Sequence, residues 1–117
     1  MTDNRKLLEL AALAAGIRYN GFDEDRGCDI WWLPDQSRYD KWNPLEDDGD
    51  ALRLAVRLRI EVEPWIHGDS ACARAACEDV LIDEPHYGDD PERATRLAIV
   101  RVAAEIGRRM ENKNSGR

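Results

Sequence analysis

The chain has no uninterrupted apolar run of the roughly 18 residues that a membrane-spanning helix needs, which excludes a helical membrane protein. Histidine is scarce. Only His67 and His86 occur, and none of Ser37, Ser70, Thr95 and Ser115 stands in a nucleophile elbow, so hydrolysis through an activated hydroxyl has little to work with. Glycine-rich phosphate-cradling loops of the nucleoside-triphosphatase and dinucleotide types are both missing. Cysteine is limited to Cys28, Cys72 and Cys77, an odd number without CxxC spacing. That pattern argues against a disulfide framework and suits buried thiols in a reducing compartment, so a cytoplasmic protein is expected. No internal repeat and no low-complexity segment appears.

Acid is what the chain has in excess. Its 117 residues carry a formal net charge of −7, unevenly distributed. Residues 19–50 hold ten acids against Arg26, Arg38 and Lys41, and residues 78–92 hold seven acids and no Lys or Arg. Residues 93–117 reverse the balance, with seven Lys/Arg against Glu105 and Glu111. Non-specific phosphate binding needs clustered cations, so DNA binding by the whole surface is not expected. One basic helix remains as an anion-binding face.

Length and a hydrophobic content of 43% fit one globular domain over 1–111, followed by a polar tail, 112–117, expected to be disordered. The opening Arg5-Lys6 and LLELAALAAG has the outline of a signal peptide. Glu9 interrupts its apolar run, and the same residues make an amphipathic helix from an Asp3 N-cap to Ala15, with Gly16 as the stop. IRYNGF and CDIWWL read as strands joined by the turn DEDRG. Adjacent Trp31 and Trp32 must point to opposite faces, so both faces of that sheet are at least partly covered. PDQSRYDKWNP reads as a polar loop.

Lys41-Trp42-Asn43-Pro44-Leu45-Glu46-Asp47-Asp48-Gly49-Asp50 then poses a choice between a metal loop and a helix start. An EF-hand fails: with Gly49 at the invariant glycine, its first, third and last ligand positions become Pro44, Glu46 and Ala55. A helix over about 49–59, capped by Asp47 or Asp48 and polarised by Arg53, Arg57 and Arg59 at its far end, accounts for the acids. Beyond it EVEP reads as an edge strand, and ACARAAC with VLI as a hairpin turning at Glu78-Asp79. Cys72 and Cys77, five apart in a strand, then face opposite ways and cannot share a zinc ion with His67 and His86. Asp89-Asp90-Pro91-Glu92 starts a last helix, expected to reach about Met110 with Ile99, Val102, Ala103, Ile106 and Met110 inward. The expected fold is α+β, in the order α-ββ-α-βββ-α, with three helices packed on a short antiparallel sheet.

Four tryptophans, Trp31, Trp32, Trp42 and Trp65, exceed what one small core needs. At least two belong in the core, and Trp42, set in a polar loop, is the exception expected to face a ligand. The candidate ligand-binding residues are Trp42, Asn43, Asp48, His86, Arg93 and Arg96: an aromatic face, an amide, an acid, and a basic cluster at the start of the last helix. No catalytic residue, metal or cofactor is expected.

WNPLEDDGDALRLAVRL at 42–58 and EPHYGDDPERATRLAIVRVAAEIGRRM at 84–110, with LLELAALAAGI at 7–17, resemble the phage ABA sandwich domain, a small family of proteins encoded by tailed bacteriophages and prophages. The resemblance implies an α/β/α sandwich acting in a bacterial host cytoplasm, and it implies no catalytic residue. ACARAAC is a small-residue, cysteine-containing departure from the family's hairpin. The leading expectation is a homo-oligomeric, non-enzymatic binding module that sequesters a small anionic, nucleotide-like ligand in counter-defence. An alternative is an acidic inhibitor or DNA mimic that occupies a basic site on a host protein. A small hydrolase would need a pocket joining His67 or His86 to paired carboxylates.

Overall fold

A computed structural model of the chain describes residues 2–65, 72–86 and 90–115. Three helices and two three-stranded antiparallel sheets form one α+β globule. Helix α1 (Thr2–Ala15) buries Leu10, Ala11, Ala12 and Ala15. It begins at Thr2, so Asp3 falls inside the first turn instead of capping it. Gly16, at φ +75°, closes the helix: its N–H donates to Leu13 O and that of Ile17 to Ala12 O, the paired bonds of a Schellman motif.

The first sheet has the order β1-β2-β3, with β1 Arg18–Asp23, β2 Cys28–Leu33 and β3 Arg38–Asp40. The Asp23 carboxylate accepts the N–H groups of Asp25 and Arg26 and so shapes the β1–β2 turn. Strand β3 lies in the segment expected to be a loop. It is only three residues long, too short for a period-2 signal, and it is held by pairing with Trp31, Trp32 and Leu33.

Helix α2 (Asp48–Leu58) starts as its sequence demands. Asp47 is the N-cap, and its side chain accepts the Asp50 N–H at 2.8 Å. Arg59, left-handed at φ +57°, ends the helix. The second sheet has the order β4-β5-β6, with β4 Glu61–Glu63, β5 Cys72–Cys77 and β6 Val80–Pro85. The hairpin read from ACARAAC is present, turning at Glu78-Asp79. Alternation explains why so alanine-rich a segment is a strand: Ala73 and Ala75 are wholly buried, while Arg74 on the other face holds Asp83 across the ladder at 2.7 and 3.1 Å.

Helix α3 (Pro91–Ser115) is the spine of the core, in contact with α1, α2, β5 and β6. Ala98, Val100, Val102 and Ala103 are fully buried on it. Two expectations change here. The strands form two three-stranded antiparallel sheets where one short sheet was expected, with α3 in contact with β5 and β6 of the second sheet and with α1. The helix also continues past Met110 to Ser115, so residues 112–115 are helical and not a tail, and Met110 is exposed. Gly107 sets the α1–α3 distance: a Cβ there would run into the Leu10 carbonyl. The small stripe Ala11, Ala15, Ala103 and Gly107 therefore lets the two helices approach closely.

Candidate functional site

Trp31 lies on the inner face of β2 and Trp42 just beyond β3, with ring centroids 5.2 Å apart and planes at 62°. Tyr19 of β1 adds a third edge-on ring, 5.1 Å from Trp31, and Arg5 lies over Tyr19 at 4.4 Å. The Tyr19 hydroxyl donates to Asp29 at 2.8 Å. Above this aromatic row opens a cavity of about 640 Å³. Its floor is Leu8, Trp31, Leu33 and Trp42, and its rim carries Arg5, Arg38, Lys41 and Arg53 against Asp29, Asp40, Glu46, Asp47 and Asp50. Such a volume is in the usual range for a small-molecule site.

Most of the rim charges neutralise one another. Arg5 pairs with Glu9 and Asp29, Arg38 with Asp40 at 3.0 Å, and Arg53 with Asp50 at 2.8 Å. Lys41 is exposed and makes no side-chain ion pair among the described residues. It is the rim cation available to an incoming anion.

The loop that closes one side is built around Asp50, a buried carboxylate at 8% exposure. Its Oδ2 accepts the Asn43 N–H at 2.9 Å and its Oδ1 the Arg53 guanidinium. Asn43 Oδ1 in turn accepts the Leu45 N–H at 3.1 Å, and Asn43 O accepts the N–H groups of Glu46 and Asp47. The acidic turn is thus a folded helix start, in which Asp47 caps, Asp50 anchors the loop and Asp48 holds Arg96. Among the described residues no three His, Cys, Asp or Glu side chains cluster to hold a metal ion.

The expected ligand residues divide between places. Trp42 and Asn43 line the cavity, but Trp42 is 6% exposed, so it is a core ring and not a free stacking face. The loop is polar in composition, yet Pro44 is fully buried and carries Trp42 inward with it. Asp48 and Arg96 lie on a separate, largely apolar groove with Leu52, Val62, Trp65, Thr95 and Ile99. Arg96 is occupied there, donating from Nε to Leu45 O at 2.9 Å and from Nη1 to Asp48 at 2.7 Å.

His86 is buried behind Trp65, its Nε2 3.1 Å from Pro64 O and its ring edge-on at 4.5 Å. A carbonyl only accepts, so Nε2 carries the proton. Arg93 is exposed, and its backbone N–H is capped by Asp90 Oδ1 at 3.1 Å. These residues do not converge on one ligand, although Arg96 joins the start of α3 to the WNP loop through the Leu45 carbonyl. His67 and Asp89 lie outside the described residues.

No protein-family model, curated protein or solved structure matches the chain.

The acids outside the cavity bear on the remaining alternatives. Asp35 holds Arg57, Asp79 holds Arg109, Asp83 holds Arg74, Glu84 holds Arg101, and Glu105 holds both Arg108 and Arg109. The arginines hold the Asp83 and Glu105 carboxyls below the usual carboxylate range. The net charge of −7 is unchanged by these pairs, but they set arginines among the acids and interrupt a continuous acidic face.

Residues of the cavity that the sequence did not announce are Arg5, Asp29, Arg38, Asp40, Lys41 and Arg53. They come from α1, β2, β3, the residue after β3, and α2; the pairing of β3 with β2 sets Arg38 and Asp40 beside Asp29's strand, and the packing of the two helices adds Arg5 and Arg53.

Proposed function

We propose that this protein is a small binding domain whose ligand occupies the cavity over Trp31, Leu33 and Trp42. The observation that carries the reading is the pairing of an apolar, aromatic floor with a rim of both charge signs on which Lys41 stands unpaired among the described residues. The rim supports a ligand class. An anionic group meets Lys41, with Arg38 and Arg53 beside it, while hydroxyl or amino donors meet Asp29, Asp40 and Glu46. With Arg5, Arg38 and Arg53 already paired to acids, Lys41 is the one rim cation without an ion pair among the described residues, so a ligand of low charge with several donors, such as a nucleoside monophosphate, is favoured over a triphosphate.

The setting we propose is that of a phage or prophage product acting in the bacterial cytoplasm, where sequestering such a signal would serve counter-defence. The resemblance of segments 7–17, 42–58 and 84–110 to the phage ABA sandwich domain supports that setting. The internal pairing of the acids counts against the DNA-mimic alternative.

Native mass spectra of protein purified gently from a bacterial host, repeated after denaturation, test the reading. A discrete mass excess lost on denaturation, and absent from Lys41→Glu, is expected. No mass excess, together with no calorimetric signal from a panel of nucleoside monophosphates, would remove it.

A further inference from the structure

Helix α2 is amphipathic, with Ala51, Leu54 and Ala55 inward, yet its outer face is not polar throughout. Leu52 is 64% and Val56 70% exposed, one turn apart on that face. Asp48 lies one turn before Leu52 on that face, and exposed Arg59, the left-handed residue that ends the helix, stands three residues after Val56, so the order along and just past the helix is acid, leucine, valine, arginine. Asp48 is bonded to Arg96 but remains 73% exposed, which leaves carboxylate lone pairs free toward solvent. Arg59 has no ion pair among the described residues, and Gly49 adds no side-chain bulk to the same face. Beside Asp48 and Leu52, the apolar groove continues the patch to Trp65, itself 55% exposed.

We propose that this face binds a second copy of the chain, with the two α2 helices antiparallel about a two-fold axis passing between Leu52 and Val56. The stripe is its own complement only in that orientation. Leu52 then meets Val56 of the second copy, and Asp48 meets Arg59 at both ends, as an isologous interface requires. A parallel pairing would set Asp48 against Asp48 and Arg59 against Arg59. On the other flank of the helix Arg53 and Arg57 would approach their own copies, but Asp47, Asp50 and Asp35 already neutralise them. Trp65 and the groove extend the contact beyond one short helix, which a stable dimer of ordinary interface size needs. The proposal stands apart from the cavity, since neither Leu52, Val56, Arg59 nor Trp65 lines it.

Sedimentation velocity over a concentration series tests it on the full chain. Wild type is expected to sediment at twice the protomer mass, and Val56→Glu at the protomer mass with unchanged circular dichroism. Arg59→Glu is expected to weaken the dimer at least tenfold and Arg59→Lys to retain it, because only the sign of the charge opposite Asp48 changes between them. A wild-type monomer at all concentrations, an assembly other than a dimer, or a dimer indifferent to Val56→Glu and Arg59→Glu would overturn the proposal.

Discussion

Arg96 donates from Nε to the carbonyl oxygen of Leu45 at 2.9 Å, across 51 residues of chain, and so fastens the WNP loop to α3. The same guanidinium reaches Asp48 at the start of α2 through Nη1. One half-buried side chain therefore fixes the junction of two helices and a loop. Replacing it with Ala removes a charge-assisted hydrogen bond to a half-buried carbonyl, at a cost of about 1.5–3 kcal/mol. Urea denaturation should show that loss as a lower midpoint. Arg96→Lys should recover less than half, since an ammonium has no planar fork to span a carbonyl and a carboxylate together.

Gly107 is required by packing. Its φ lies in the ordinary helical range, and the constraint is the Leu10 carbonyl of α1, into which a Cβ would project. Backbone against Cβ cannot be relieved by a side-chain rotation, so α1 must move. Gly107→Ala should therefore destabilise the protein by about 1–3 kcal/mol, although alanine is the better helix former. Thermal melts followed by circular dichroism would show a lowered Tm. An unchanged or raised Tm would mean that α1 shifts freely on α3.

Trp42 and Lys41 are neighbours with opposite expected behaviour. Trp42 is a core ring against Trp31, so Trp42→Ala should cost about 3–5 kcal/mol and unfold much of the population at moderate urea. Lys41, exposed on the rim, should tolerate Ala within about 0.5 kcal/mol. If the cavity binds a ligand, Lys41→Ala should lose affinity while leaving the urea curve in place. Parallel denaturation and calorimetry of the two variants separate folding from binding.

How legible each part was follows from the range of the signal. Capping and turn chemistry act within a few residues, so Asp47 ahead of α2, Pro91 opening α3 and the Glu78-Asp79 turn could be read from the chain directly. The α+β class and the separation of Cys72 from Cys77 followed from the same local patterns. The strand Arg38–Asp40 could not be read, because three residues gain their conformation from the Trp31–Leu33 partner and not from their own periodicity. The burial of Trp42 departs from the expectation for a related reason: a polar stretch looks solvent-facing until the buried Asp50, seven residues from Asn43, and Arg96, 51 residues from Leu45, bind its backbone. The cavity joins four elements, and no linear motif encodes its rim.

Stability against acid is set partly by Asp83 and Glu105. Arg74 hydrogen-bonds the first, and Arg108, with Arg109, the second, so both carboxyls lie below their ordinary pKa in the folded chain. A carboxyl depressed by folding stabilises the native state above its unfolded pKa, about 4, and that contribution disappears as pH falls through the folded value. Stability should therefore decline as the pH is lowered below about 4.5 and continue to fall beneath the ordinary carboxylate range. Both pairs are solvent-exposed, so each contribution is small and shrinks with salt. Asp83→Asn should flatten part of the acid limb of the urea midpoint plotted against pH and leave no slope of its own above neutrality. Arg74→Gln, removing the other partner, should flatten the same part of the limb. A difference between the two would locate the pH dependence in another carboxylate, and Glu105→Gln would then be the variant to compare.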